Sequence, residues 1–148
     1  MPYEVNMAPE YTMGIVHLID EVDGHTILDA LATLHDGDNW VPQFNAVWDA
    51  RAITELSVVP READQILERM KALCKRIGEG RTVVIAPREI DALFFRMLFA
   101  RNTCAFRERK IVYDLDGAVA WLDERFPNTV RGLRRHMAAR RTPHPHPV

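Results

Sequence analysis

The sequence predicts an α/β domain on a mostly parallel sheet of four or five strands. Three observations carry this. After an opening hairpin, apolar runs of strand length alternate with amphipathic helical patterns. That alternation builds parallel sheets with right-handed crossovers. The segment Thr82-Val83-Val84-Ile85-Ala86 is apolar on both faces, as a central buried strand is. Before it, Ala63, Ile66, Leu67, Met70, Leu73, Cys74 and Ile77 form a long apolar stripe at helical spacing.

Taken in chain order, residues 3–7 suit a short edge strand, and residues 6–10, with Pro9, suit a turn. Residues 11–19 alternate, placing Met13, Ile15, His17 and Ile19 on one face of a strand. The acidic residues 20–24 read as a polar break. Ile27, Ala30, Leu31 and Leu34 recur at helical spacing over residues 26–34, and Asp36-Gly37-Asp38-Asn39 ends that helix. A third strand is expected over residues 44–49, followed by a linker to Pro60, which suits a first helical turn. Gly78 and Gly80 stop the long helix. Ile90, Leu93, Phe94, Met97 and Leu98 mark the next helix, and residues 110–113 the last strand. Ala118, Val119, Trp121 and Leu122 mark a short helix ending near Pro127. Val130, Leu133 and Met137 suggest a final helix docked on the body with its arginines in water. The expected core comprises Trp48, Ile66, Leu67, Met70, Val84, Leu93, Met97, Val112 and Leu122.

The chain of 148 residues suits one domain over residues 1–127, with a basic helix and a loose Pro/His tail over 128–148. The net charge of −2 is unevenly spread, because residues 1–50 hold 9 acidic side chains and no Lys or Arg. An acidic first third and a basic last third allow two copies to pair, so a homodimer is expected. No run of about 18 apolar residues offers a membrane span. The N-terminus lacks the pattern of a secretory signal. Cys74 and Cys104 are too few for a disulfide framework and read as reduced thiols in a cytoplasmic protein.

Three segments together resemble the SpoIIAA-like (STAS-type) family. They are the strand closing on Trp48-Asp49-Ala50-Arg51, the strand over residues 82–86 after a long helix, and Ile111-Val112-Tyr113 followed by Asp114 and Ala118-Val119-Ala120-Trp121-Leu122. The resemblance covers residues 3–126. It implies sequentially added βα units and a regulatory or ligand-binding role. Anti-sigma-factor antagonists of this fold are switched by phosphorylation of a serine in an Asp-Ser-Ser-Gly motif. That motif is absent. The corresponding region is Leu56-Ser57-Val58-Val59, and Ser57 is the sole serine of the chain.

In parallel α/β sheets ligands gather beyond the carboxyl ends of the strands. There the reading places Asp49, Arg51, Ser57 and Arg88 as the ligand- or partner-binding set. The arginines would supply directed donors for an anion, and a helix start would lie beside Ser57. The bland reading is that Arg51 and Arg88 pair with neighbouring carboxylates. No Gly-x-Ser-x-Gly elbow, phosphate loop or dinucleotide fingerprint occurs, so no catalytic residue, metal or cofactor is assigned. His35-Asp36 lacks supporting histidines, and His144 and His146 lie in the tail. His17 reads as a satisfied histidine. The arginines of residues 131–141 lack interleaved aromatics, and no nucleic-acid partner is expected. The expected function is a non-enzymatic module binding a protein partner or a small anionic ligand. The alternative is a carrier for an apolar, lipid-like ligand, by likeness of the STAS fold to the CRAL-TRIO fold.

Overall fold

A computed structural model describes residues 2–101, 104 and 106–141. Its five strands are β1 (Tyr3–Ala8), β2 (Met13–Asp23), β3 (Asn45–Ser57), β4 (Arg81–Ile85) and β5 (Glu108–Val112), lying in sequence order across one sheet. β1 runs antiparallel to β2, and every other neighbouring pair is parallel. A 3-10 turn at Pro9–Tyr11 closes the opening hairpin.

The described residues form six α-helices in the expected order, except that the single helix expected from Pro60 to Ile77 is interrupted at Leu73 and splits in two. On one face of the sheet lie α1 (Gly24–His35), α2 (Pro60–Ala72), the one-turn α3 (Cys74–Ile77) and α4 (Glu89–Arg101). On the other lie α5 (Leu115–Asp123) and α6 (Pro127–Arg141). Local chemistry fixes several ends. Asp23 caps α1 by accepting the Thr26 backbone N–H at 2.9 Å, and Asp114 caps α5 through Gly117 N–H at 2.8 Å. These bonds satisfy otherwise orphaned donors. Pro60 opens α2, where Glu62 turns back to the Val59 N–H.

Alternation along the strands feeds two cores. Val16, Leu18, Ala46, Trp48 and Val84 face α1, α2 and α4. Met13, Ile15, Val47, Val83, Ile85 and Val112 face α5 and α6 with Leu122, Val130, Leu133 and Met137. The backbone of α6 approaches closely because residue 132 is glycine: a Cβ there would lie 2.3 Å from the Tyr11 ring.

Several sequence expectations need correction. β2 and β3 run on past residues 19 and 49. Their parallel pairing continues to Asp23 beside Ser57, with irregularities between His17 and Ile19 and between Asp20 and Glu21. The presumed polar break and linker are therefore a projecting two-stranded ribbon. Its side chains are largely exposed, so its composition mimics a loop. In α4 the buried side is Asp91, Ala92, Phe95 and Leu98, which leaves Leu93 53% and Met97 42% exposed. Leu67 is only partly buried, and the other expected core residues are buried.

Cys74 and Cys104 are bonded to each other, with Cα atoms 5.7 Å apart, rather than reduced. The crossover that follows α4 returns the chain beside the start of α3, which the separation of 30 residues hides in the sequence. The cytoplasmic expectation, drawn from reduced thiols, loses that support. No helix among the described residues is long and apolar enough to cross a membrane. The tail beyond residue 141, with His144 and His146, lies outside the described residues.

Candidate functional site

The four residues expected at the strand ends fall into two groups. Asp49 and Arg51 lie within β3, on the face covered by α6. Ser57 ends β3, eight residues beyond Asp49 and so about 26 Å along an extended strand. Arg88, at the start of α4, donates to the Ile53 carbonyl at 3.3 Å and to the Thr54 carbonyl. Its Nε lies 3.0 Å from the fully buried carboxylate of Asp91. Burial raises the Asp91 pKa, and the Arg88 charge opposes that rise. Both arginines thus hold carboxylates and carbonyls of their own chain.

Register explains the first group. His17 of β2 and Asp49 of β3 are directly paired in the parallel ladder. His17 Nδ1 lies 2.9 Å from Asp49 Oδ2. Asp49 also accepts the Arg51 backbone N–H at 3.1 Å, Nε at 2.9 Å and Nη2 at 3.0 Å. On its far side, His17 Nε2 meets His136 Nε2 of α6 at 2.8 Å. The result is an Asp49–His17–His136 chain tying the sheet to α6.

Burial raises the Asp49 pKa, but the His17 and Arg51 hydrogen bonds outweigh it and hold the carboxyl well below its usual value. His136 is lowered by burial, then by His17 and Arg140, against Asp49 and Glu4. With Asp49 ionised, His17 carries a proton on Nδ1, so a neutral His17 accepts at Nε2 and His136 donates. A parallel tie lies at the start of α6, where Asn45 Nδ2 donates to Thr129 Oγ1 at 2.9 Å and Thr129 donates to the Tyr11 carbonyl at 2.8 Å. The exposed Arg140 pairs with Glu4 at 2.7 Å, in keeping with the expected docked helix.

Sequence reasoning placed His17 as satisfied and singled out Asp49 and Arg51, but it did not connect them. The signal available was register, since parallel pairing of these strands sets His17 beside Asp49. His136 sits 119 residues from His17 and had no such signal.

The second group opens onto an apolar surface. Val59, two residues past Ser57, is exposed, and so are Ile90, Leu93 and Met97 along α4. Arg88 joins the end of β3 to the start of this stripe. Among the described residues no group of three or more His, Cys, Asp or Glu side chains is placed to hold a metal.

No protein-family model matches the chain, and no curated protein matches it. Among solved structures, a DUF3478-family protein of SpoIIAA-like fold from Shewanella loihica PV-4 superposes with a TM-score of 0.56. That likeness covers 81% of this chain and 93% of that one at 13% identity. The anti-sigma factor antagonist SpoIIAA in its unphosphorylated form gives a TM-score of 0.49 at 15% identity, over 81% of this chain and 96% of that one. The chain has a SpoIIAA-like, STAS-type fold.

Proposed function

We propose that the chain is a non-enzymatic regulatory module of STAS type that docks a protein partner on the face running from Ser57 and Arg88 along α4. The observation that supports this reading most is the exposed stripe of Ile90 (62%), Leu93 and Met97, at spacings of three and four residues on one helix. Contiguous exposed apolar groups with a charged rim are what partner surfaces look like. Asp49 and Arg51 take the other part, holding α6 in place.

A second copy of the chain is the partner that the residues of α4 themselves fit. With a two-fold axis near residue 95 and two α4 helices antiparallel, Leu93 meets Met97 of the other copy twice at the centre. Ile90 falls on the small Ala100, and Glu89 falls beside Arg101. Each contact then occurs twice. Within one copy Glu89 reaches Arg96 only at 3.6 Å, and Arg101 pairs with Asp64 in an exposed bridge of little strength. Both remain available to a new partner.

The expected result is a concentration-dependent dimer in sedimentation at about 100 μM, a concentration where modest interfaces show. Glu89→Arg weakens it, and Glu89→Arg combined with Arg101→Glu restores it. A monomer throughout, or a double variant no better than the single one, overturns the reading of this face. A carrier for purely apolar cargo is less well supported, because Arg107 and Arg109 line the apolar pocket between the sheet and α1, α2 and α4 that would hold the cargo.

A further inference from the structure

Between the sheet and α1, α2 and α4 lies a pocket of about 590 Å³ of empty space, part of it open to solvent. About 50 Å³ of that admits the centre of a water molecule. Its walls are mainly apolar, with Ile27, Leu31, Ile66, Phe95 and Leu98 among them. Two guanidinium groups, Arg107 and Arg109, also line it, and no Asp or Glu does.

Arg107 is only 5% exposed, and every hydrogen bond it makes goes to a neutral acceptor. Nε donates to Thr82 Oγ1 at 2.6 Å, Nη2 to the Phe44 carbonyl at 2.8 Å and the Arg81 carbonyl at 3.1 Å, and Nη1 to carbonyls of residues 77–79. These bonds position the group without neutralising it. Arg109, two residues on and facing the same way, has a buried Nη1 with no hydrogen-bond partner among the described residues, and its guanidinium carbon stands 5.7 Å from the centre of the Phe99 ring. Among the described residues no carboxylate pairs with either arginine. Burial and the neighbouring Arg109 push the Arg107 pKa down to about 9, so the two cations oppose each other. His35, 3% exposed and also lining the pocket, has an unpartnered Nδ1.

An uncompensated buried charge costs free energy that a bound counter-ion recovers. A bare anion would satisfy Arg109 but lose its hydration against apolar walls. A hydrocarbon would fill the walls and leave the cations unpaired. We propose that the pocket binds a small amphiphilic carboxylate, with its apolar body among Ile66, Phe95 and Leu98 and its carboxylate on Arg109. A planar two-oxygen head matches the guanidinium fork. The limited free space selects a short chain over a long acyl one. This site stands apart from the docking face of α4 and does not depend on it.

The test uses hexanoate, with 1-hexanol and acetate as probes that each keep one half of its chemistry, by isothermal titration on the full chain. Hexanoate is expected to bind saturably, with hexanol and acetate each weaker by at least about tenfold, the equivalent of 1.4 kcal/mol. Arg109→Met should bring hexanoate down to the level of hexanol, and Arg109→Lys should fall between. No saturable hexanoate binding in the millimolar range overturns the proposal. So does hexanol binding as tightly as hexanoate, or an Arg109→Met variant that folds and binds hexanoate unchanged. The wild-type comparison of the three probes decides the matter even if a variant fails to fold.

Discussion

Replacing Asp49 by alanine is expected to destabilise the fold by about 3 kcal/mol, the low end for breaking a buried ion pair by removing one partner. The loss has three sources. The carboxylate receives four donors, from His17 Nδ1 and from the backbone N–H, Nε and Nη2 of Arg51. Without it, buried His17 has nothing to fix its proton on Nδ1, and its contact with His136 weakens. Arg51 is left with the Met137 sulfur and water, and its partial exposure softens the loss. Urea unfolding at pH 7 measures the cost, and a change under about 1 kcal/mol, typical of exposed pairs, would contradict it. The pH dependence has a definite sign. The folded-state pKa of Asp49 lies below its unfolded value of 3.8, so its contribution is fully present above about pH 4 and is lost progressively as the pH falls from there through the lower folded-state value. Asp49→Ala should therefore show its deficit at neutral pH and converge on the wild type in strong acid.

The second large effect also appears in acid, in a higher window. Burial, then the nearby charges of Arg107 and Arg76, push the His35 pKa down to about 3 from 6.5. The unfolded chain thus binds a proton that the folded chain refuses between those values. Stability contributed by neutral His35 is present above about pH 6.5 and declines as the pH falls toward 3, a loss of roughly 4 kcal/mol if the whole window is crossed. His35→Phe keeps an aromatic ring against Trp40, which His35 meets edge-on at 4.3 Å between ring centres, and removes the titration. Unfolding free energies at pH 7 and pH 4 should differ less in this variant than in the wild type. Equal differences would place the acid sensitivity elsewhere.

Much of the architecture was legible because its signals are local. The stripe of α2, the doubly apolar β4 and the breaks at Gly78 and Gly80 each declare themselves within a few residues. Where the reading failed, the deciding contact was distant. The outer halves of β2 and β3 turn only Val22, Ala50 and Ile53 into the helical core and leave most other side chains exposed, so nothing local separates this ribbon from a loop. In α4, apolar residues occur almost all the way round, and their period cannot say which side faces the sheet. The exposed side, with Leu93 and Met97, is the one the sequence would have buried. Of the candidate site, Asp49 and Arg51 were found by position along a strand, while the place of His136, and the enclosure of Arg107 and Arg109 in a pocket, depend on packing that brings separate segments together.

The proposed pairing of two α4 helices is tested most directly by covalent capture. The double variant Leu93→Cys/Met97→Cys, oxidised mildly at low protein concentration, is expected to give a dimer closed by two bridges across the two-fold axis. A control cysteine at the exposed Tyr113, beside β5, should stay monomeric under the same conditions. A covalent dimer from the α4 variant alone is the result the account predicts. No dimer from it, or dimers in equal yield from the Tyr113 control, would contradict it.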